Sequence, residues 1–187
     1  WDVIFFSCLI ALAVASGYCL IGGAWLIWRC EYTLQKNAVK WMRQHLIITC
    51  VGIALVSLAT PFVSERIFDK WFEFPYVFAL APVPIMTGLL VISLFILIGK
   101  MPFEKDRLCW LPFAMTIAVY ILCFGGLAYS FYPYIVPDTL TIVEAASAPE
   151  SLMIILIGTL IVFPVLIGYT MLAYYIFRGK ARDLSYD

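Results

Sequence analysis

Residues 152–177 read LMIILIGTLIVFPVLIGYTMLAYYIF, without a single Asp, Glu, Lys or Arg. A helix of that length exceeds the roughly 20 residues that cross the hydrocarbon core of a bilayer. Four more charge-free stretches precede it, at residues 3–28, 46–64, 75–99 and 108–137. A transmembrane β-barrel would instead show segments of about ten residues with alternating hydrophobicity. The sequence therefore predicts an all-α, polytopic membrane helical bundle with five transmembrane helices, forming a single domain.

The composition of the whole chain agrees with a membrane protein. Of its 187 residues, 64% are hydrophobic and 13% are charged, whereas a soluble protein has about 45–50% apolar and about 25% charged residues. A soluble chain this apolar would expose large apolar patches and aggregate. The net charge is zero, so no surplus of basic residues exists to bind nucleic acid phosphates. These figures exclude a soluble globular protein and disfavour a nucleic-acid partner.

The charged residues between the apolar stretches are unevenly distributed. Segments 29–44, 100–107 and 178–187 hold ten of the twelve basic residues and five of the twelve acidic ones. The other segments hold Arg66 and Lys70 together with seven acidic residues. Because cytoplasmic loops of membrane proteins are enriched in Lys and Arg, this bias predicts an outer N-terminus and a cytoplasmic C-terminus.

Small residues and prolines inside the stretches predict how the helices pack. Two stripes recur every four positions in the first stretch: Ala11, Ala15, Cys19 and Gly23, and Ala13 with Gly17. Such stripes let helix backbones approach closely, and Gly125, Gly126 and Ser130 are expected to do the same in the fourth stretch. Pro82 and Pro84 each remove a helical hydrogen bond and predict a bent or irregular start of the third stretch.

The longest outer segment, residues 133–151, is predicted to be locally ordered. Thr141 with Glu144, and Ser147 with Glu150, both have the spacing of a capping box. We therefore expect a short helix over residues 142–147 and a second capping box at the start of the last span. Seven aromatic residues near the predicted interfaces are interpreted as lipid-facing anchors: Trp25, Trp28, Trp41, Trp71, Trp110, Tyr132 and Tyr134.

Few side chains of this sequence could carry chemistry. His45, the only histidine, is placed at the cytoplasmic mouth of the second stretch and is interpreted as a structural residue, because haem and metal sites need several convergent ligands. A proton-related role stays open, since imidazole exchanges protons in the physiological range. Cys8, Cys19 and Cys30 are eleven residues apart and are predicted to share a helix face, as small apolar residues rather than as a redox or metal stripe. Hydroxyl groups inside the stretches are expected to bond neighbouring backbone or helices: Ser16, Thr60, Thr87, Thr116, Ser130, Thr159 and Thr170. No catalytic, cofactor-binding or metal-ligating residue is assigned from the sequence.

Motifs at both ends of the chain resemble subunit II of the cytochrome bd-type quinol oxidases, specifically its C-terminal half. The first span carries Gly17-Tyr18, Leu20, Gly22 and Ala24-Trp25-Leu26, and Arg29-Cys30-Glu31-Tyr32 stands where the family commonly has Lys-Thr-Glu-Gly. The later matches are Pro133 to Pro137, Leu140 to Ile142, Glu144 to Ala146, Ser151-Leu152, Gly158, Pro164, Tyr169-Thr170, Tyr174-Tyr175 and Phe177 to Lys180. Residues 125–130 resemble the cyanide-insensitive branch. Because the chain begins with Trp1 rather than Met, we expect it to be the C-terminal part of a longer subunit.

The resemblance implies a subunit of a bacterial inner-membrane heterodimer that oxidises quinol and reduces dioxygen to water. In that family, subunit I holds two b-type haems, one d-type haem and the quinol site. Subunit II carries no haem axial ligand of its own, packs against subunit I and stabilises it, and can contribute to oxygen or proton access and to lipid or quinone binding. The resemblance thus implies an accessory subunit whose haem b and haem d lie in its partner.

Two other functions remain open from the residues themselves. The first alternative is that the chain forms part of a transporter or channel. Discontinuous helices around a midplane site, or paired polar groups facing a cavity, would indicate this function. Pro82 and Pro84 are the only such hint. A purely structural membrane protein without a cofactor-bearing partner is the third possibility.

Overall fold

A computed structural model gives the fold and describes residues 2–74, 76–101 and 108–180. Within these ranges, five helical segments are long and apolar enough to cross a membrane: Ile10–Arg29, Tyr32–Phe62, Pro82–Gly99, Leu111–Phe131 and Pro149–Ile176. The prediction of five membrane-spanning helices is confirmed. The cytoplasmic segments predicted at residues 102–107 and 181–187 lie outside the described residues.

Helices α1 (Asp2–Arg29) and α2 (Tyr32–Ala59) form a helical hairpin. The prediction that residues 29–44 form a connecting segment is wrong, because only Cys30 and Glu31 separate the two helices. The basic residues of that segment do not interrupt α2, since Lys and Arg are good helix formers and Gly and Pro are absent from its first five turns. Charge marks the part of a helix that leaves the lipid and not the residue at which the helix begins.

The connection between α1 and α2 places Tyr32 in the left-handed region, with φ of 55°. Gly would reach this positive φ without the steric cost that Tyr carries. The turn therefore keeps a backbone conformation that suits Gly, although a Tyr occupies it.

A 3₁₀ turn, Thr60–Val63, follows α2 and leads into α3, Glu65–Phe72. The third predicted span, residues 75–99, is divided into α4 (Tyr76–Leu80) and α5 (Pro82–Gly99). Pro82 begins α5, since a proline at the first helical position lacks only an N–H that would be unpaired anyway. The predicted irregular start of this span is confirmed.

Helix α6 (Leu111–Phe131) is shorter than the predicted span of residues 108–137. Tyr132 precedes Pro133 and leaves the helical region, with φ of −53° and ψ of 135°, because the ring of a following proline disfavours the helical conformation. Residues beyond it form a two-stranded antiparallel hairpin, β1 (Tyr134–Val136) and β2 (Leu140–Thr141), which the sequence reading missed.

Helices α7 (Ile142–Ala145) and α8 (Pro149–Ile176) follow the hairpin. The capping box of Thr141 and Glu144 is present at α7, as predicted. The second predicted capping box is wrong, because α8 has Ala148 at its N-cap and Ser147 does not cap it. Pro149 takes the first helical position, a common place for proline, so the preceding residue becomes the N-cap and it has no side-chain oxygen.

The described residues divide into two compact units, the first ending at Tyr132 and the second comprising Pro133–Lys180. The core of the first unit consists of buried apolar side chains from α1, α2, α5 and the segments flanking the gap at residues 102–107: Leu20, Ala24, Ile27, Ala38, Met42, Leu46, Leu94, Ile98, Met101 and Cys109. Helices α1, α2 and α5 of the first unit thus pack through an apolar seam.

One of the two small-residue stripes of α1 lies in this seam and the other does not. Ala11, Ala15 and Cys19 are exposed, so the prediction that their stripe packs a neighbouring helix is wrong for all of its members except Gly23. A Cβ on Gly23 would lie 3.2 Å from the Cβ of Met42 in α2.

The second stripe, Ala13 and Gly17, does pack against neighbours. Ala13 lies so close to Gly52 of α2 that a Cβ on Gly52 would overlap the Ala13 methyl. Gly17 is buried beneath Tyr120 of α6, whose hydroxyl would lie 2.9 Å from an added Cβ. Close backbone approach therefore selects small residues where α1 meets α2 and α6.

Candidate functional site

A polar group joins α1 to α2 near the middle of both helices. The Ser16 hydroxyl lies 3.1 Å from Nδ1 of His45 and 3.2 Å from the carbonyl oxygen of the same residue. The Thr49 hydroxyl donates to Ser16 Oγ over 3.3 Å. Ser16 and Thr49 are buried and His45 is half-buried, so these three side chains form one hydrogen-bonded cluster inside the seam.

His45 does not lie at the mouth of its helix, as the sequence predicted. Because α2 already begins at Tyr32, His45 lies about three and a half turns inside it. Its interpretation as a structural residue is consistent with the bonds to Ser16, which hold one face of the imidazole against α1.

Tyr120 attaches α6 to α1 beside this cluster. Its hydroxyl donates to the carbonyl oxygen of Gly17 over 2.5 Å, and the side chain is half-buried. A helix carbonyl can accept this second bond with its free lone pair. The sequence reading missed Tyr120, although a tyrosine in the middle of an apolar span needs a partner for its hydroxyl.

A second cluster lies where α1 ends and α2 begins. The Gln35 amide nitrogen donates to the Ile27 carbonyl oxygen over 3.1 Å and to Cys109 Sγ over 3.5 Å. Gln35 is buried, with 6% of its surface exposed, so this amide ties the turn between the two helices to the start of α6. The sequence reading missed Gln35 because the residue was assigned to a loop.

Aromatic rings surround the same end of the bundle. Trp25 packs edge-on against Trp28 with centroids 5.2 Å apart, and both rings contact Phe113 of α6. The Arg29 guanidinium lies 5.3 Å from the Trp25 ring centroid. The interpretation of Trp25 as a plain lipid-facing anchor is therefore wrong, since its ring joins α1 to α6.

The opposite end of the bundle brings α3 against the end of α6. The Lys70 ammonium donates to the carbonyl oxygens of Tyr132 and Tyr129 over 2.5 and 3.4 Å, and Arg66 Nη1 donates to the Tyr132 carbonyl over 3.2 Å. The last carbonyls of a helix lack intrahelical donors and carry partial negative charge. The two basic residues of the predicted outer segments therefore cap the C-terminus of α6.

Trp71 makes the adjoining contact between α3 and α6. Its indole N–H donates to the Ser130 hydroxyl over 3.0 Å, and that hydroxyl donates to the Gly126 carbonyl oxygen over 2.8 Å. Trp71 was interpreted as a lipid anchor, and this interpretation is wrong as well. Gly126 approaches α5 closely, because a Cβ there would lie 3.0 Å from Val83 Cγ1, whereas Gly125 faces open space.

Electrostatics at this end follow from burial and from neighbouring charge. Partial burial, and secondarily the positive charge of Arg66, lower the pKa of Lys70. In the second unit, the backbone N–H and hydroxyl of Thr141 donate to the Glu144 carboxylate, and these bonds lower the pKa of Glu144. Both shifts belong to groups that stabilise a helix end.

Most of the hydroxyl groups singled out in the sequence bond within their own helices, as expected. Thr60, Thr116 and Thr159 donate to the carbonyl oxygen four residues earlier over 2.7 to 2.8 Å. Thr87 differs, because its hydroxyl is buried without a hydrogen-bond partner among the described residues.

The described side chains do not fit a haem-iron or metal site. The six cysteines, all among the described residues, are not joined in disulfides, and Cys30 and Cys109 are buried. Cys30 lies beyond the end of α1, so the prediction that it continues the face of Cys8 and Cys19 is wrong. Within the described ranges, groups of three or more His, Cys, Asp or Glu that could hold a metal ion are not found. His45 offers a single ligand, whose Nδ1 already contacts the Ser16 hydroxyl.

Comparisons with known proteins agree with the membrane fold and identify the family. A search of curated protein sequences gave no significant match. The model of the family described as cytochrome bd terminal oxidase subunit II matches residues 3–177, which is nearly the whole chain. Because that match includes all five apolar spans, the chain belongs to the cytochrome bd terminal oxidase subunit II family.

Proposed function

We propose that the chain is an accessory subunit of a quinol oxidase that reduces dioxygen to water, and that it supports the haem-bearing subunit I in a heterodimer of the bacterial inner membrane. The family match over residues 3–177 carries this proposal. Family membership makes the chain a multi-pass subunit of a terminal oxidase, an oxidoreductase complex that contains haem. The accessory role, the heterodimer with subunit I and the oxidation of quinol are the proposed part.

The chemistry of the interior supports an accessory role. The buried polar side chains of the first unit carry neutral hydroxyl or amide groups: Ser16, Gln35, Thr49, Thr60, Ser64, Thr87, Thr116 and Ser130. Buried ionisable groups within membrane spans usually mark proton or ion pathways. The described interior offers groups that join helices, and we assign no catalytic, cofactor-binding or metal-ligating residue to this chain.

The proposed partnership can be tested on the native complex. The subunit, tagged at its C-terminus in its own host, should bring down b-type and d-type haem absorption and quinol-dependent oxygen uptake. A second tagged multi-pass protein from the same membranes controls for carry-over. Purification of the tagged subunit without haem absorption would contradict the proposal, and so would a deletion strain that keeps its quinol-dependent oxygen uptake.

The irregular start of α5 does not favour a transporter. The break at Ala81 lies at the end of the span, next to α4, whereas transporter sites use helices that are broken near the midplane. Vesicles that contain the purified subunit and carry ions or solutes without haem would support the transporter hypothesis instead.

A further inference from the structure

Arg43 lies deeper in the bundle than the other basic residues of α2. Its neighbour Met42 packs against α1, where a Cβ on Gly23 would lie 3.2 Å from the Met42 Cβ. Gly23 is six residues before the end of α1 at Arg29, which corresponds to about 9 Å of helix. The register of the hairpin therefore places Arg43 beside the membrane-spanning part of α1, although the sequence assigned it to a connecting segment.

Helix α5 gives the same depth independently. The Arg43 guanidinium lies 5.4 Å from the ring centroid of Phe95, which is four residues before the end of α5 at Gly99. Because side chains tilt toward the N-terminus of their helix, the Phe95 ring lies still further from that end. Helix α5 has 18 residues, or about 27 Å, and needs its whole length to cross a hydrocarbon core of about 30 Å. The charge of Arg43 is therefore inside the apolar layer.

The guanidinium has an aromatic neighbour there, but it has no acidic one among the described residues. Arg43 is exposed, and a guanidinium has five N–H donors. In the part of the chain that the structure describes, its contact is the Phe95 ring, and these donors have no acceptor. Charged residues inside membrane spans are rare and usually pair with another group within a protein bundle. Arg43 therefore indicates that a neighbouring protein covers this side of α2.

Two lysines lie on the same face of α2 but nearer its beginning. Lys36 and Lys40 are exposed, and their side chains tilt toward the turn between α1 and α2, where long basic side chains reach water. Further along the face, Ile47 is 51% exposed, so the surface becomes apolar with depth. This order suits contact with a membrane helix, and the requirement for an acid inside the apolar layer belongs to Arg43.

We propose that this face of α2 docks against a transmembrane helix of the partner subunit, and that Arg43 forms an ion pair there with a carboxylate of that helix. The identity of the partner rests on the proposed heterodimer, whereas the need for a carboxylate follows from the charge and depth of Arg43. A carboxylate suits a guanidinium because two parallel N–H···O bonds join them. Lipid phosphates lie outside the hydrocarbon core, about one helical turn too far from this guanidinium.

The test measures how fast the native complex, purified in maltoside detergent through a tag on this subunit, loses its partner. Native mass spectrometry counts the subunits that remain together. We expect Arg43→Met to raise the dissociation rate about tenfold or more, because removal of one member of a desolvated ion pair acts mainly on dissociation. Arg43→Lys keeps the charge without the two-pronged hydrogen bonding and should give an intermediate rate. Met is a good helix former, so Arg43→Met leaves α2 itself intact.

Lys36→Met is the matched control, since it removes an exposed basic residue from the same face at the beginning of α2. Equal dissociation rates for Arg43→Met and Lys36→Met would overturn the proposal. A faster dissociation of Arg43→Met that appears only after phosphatidylglycerol is added back would also overturn it, in favour of a lipid as the partner of the charge.

A hydrophobic carbodiimide identifies the acid, because it joins the new amine of the Arg43→Lys variant to a carboxylate in contact with it. We expect an amide bond between position 43 and an acid of the partner chain, located by mass spectrometry of the digested complex. Cross-linking to Glu104 or Asp106 of this chain, which lie outside the described residues, would overturn the proposal, as would the absence of a product. An unmodified subunit that purifies without haem contradicts the oxidase assignment instead, so the two failures are distinguishable.

Discussion

The Lys70 ammonium donates a hydrogen bond of 2.5 Å to the carbonyl oxygen of Tyr132, the residue at which α6 ends. The same side chain lies 5.4 Å from the ring centroid of Tyr129. A short helix between two spans therefore caps the end of a third span. This contact connects residues 62 positions apart in the sequence.

Replacement of Lys70 by Met should destabilise the end of α6. A cation at a helix C-terminus contributes about 0.3–1 kcal/mol, and Arg66 remains to bond the Tyr132 carbonyl, so we expect a loss of about 1 kcal/mol in the free energy of unfolding. Thermal unfolding of the purified complex measures the effect. Lys40→Met, which removes an exposed lysine of α2, is the control, and equal melting temperatures for the two variants would contradict the capping role.

The pKa of Lys70 adds a pH dependence to the same contact. Partial burial lowers this pKa in the folded state, so the unfolded chain binds more protons in the alkaline range between the folded and unfolded values. The contribution of Lys70 to stability should therefore rise with pH through that window. Comparison of the unmodified complex with Lys70→Met at neutral and alkaline pH checks the sign, and a contribution that falls with pH would contradict it.

Tyr32→Gly should stabilise the turn between α1 and α2. A left-handed residue other than Gly costs about 1–2 kcal/mol, the Tyr32 side chain is 71% exposed, and Gly loses about 0.5–1 kcal/mol more entropy on folding. We expect a net gain of up to about 1.5 kcal/mol in thermal unfolding experiments. Thr33→Gly, one residue further along in helical conformation, should instead cost about 0.3 kcal/mol, since Thr is itself a poor helix former. A loss of stability in both variants would show that the backbone of Tyr32 is not strained.

Gly52→Ala should disturb the packing of α2 on α1. The added methyl would overlap that of Ala13, and overpacking of a tight contact costs about 1–3 kcal/mol. Gly88→Ala is the matched control, because an added Cβ there meets no atom within 4 Å. The fraction of complex that survives heating and elutes intact from a sizing column measures the difference. Similar survival of the two variants would contradict this prediction, because α1 and α2 would then accommodate the added methyl group at little cost in stability.

Ser16→Ala should weaken the hairpin without creating a clash. It removes the partner of both His45 Nδ1 and the Thr49 hydroxyl, and hydrogen bonds between membrane helices contribute about 0.6 kcal/mol on average. We expect a loss of about 1 kcal/mol in thermal unfolding, whereas Ser93→Ala, at an exposed position of α5, should have no effect. Double substitution with Thr49→Ala should be less than additive, and full additivity would argue against a shared cluster.

Thr141→Val should raise the pKa of Glu144. The backbone bond from residue 141 is the larger cause of the lowered pKa, and the Thr141 hydroxyl is the second, so the rise should be partial. The capping box of the unmodified protein is stable above the ordinary pKa of Glu and is lost as pH falls through the lowered value. NMR titration with labelled glutamate measures the pKa of Glu144 in the unmodified protein and in the variant. Thr139→Val, whose hydroxyl bonds Val136 instead, should leave the titration of Glu144 unchanged.

Charge-free length was sufficient to predict the five spans, but not where their helices begin and end. Lys36 and Lys40 were assigned to a loop because they cannot enter lipid, yet they lie within α2. The end of α6 at Tyr132 followed from Pro133, a local signal that the length of the apolar run concealed. Membrane insertion constrains polarity, whereas helix boundaries depend on backbone stereochemistry.

The polar contacts were less predictable than the spans. Ser16 could be singled out as a hydroxyl in an apolar helix, but its pairing with His45 depends on the register of the hairpin. That register follows from close contacts such as that between Gly23 and Met42. The spacing of the small residues in the sequence does not indicate which of the two stripes faces a neighbouring helix. The roles of Lys70 and Gln35 required the positions of helices that are distant in sequence.

The link of two residues between α1 and α2 has a consequence for biogenesis. Only two residues separate a span that ends at Arg29 from a helix that begins at Tyr32, so the two helices share one connected end. The basic residues Lys36, Lys40 and Arg43 near the start of α2 oppose transfer across the membrane of the end that joins the two helices. Their contacts are local in sequence, which favours rapid folding, so this pair is available early as a surface on which the later spans assemble.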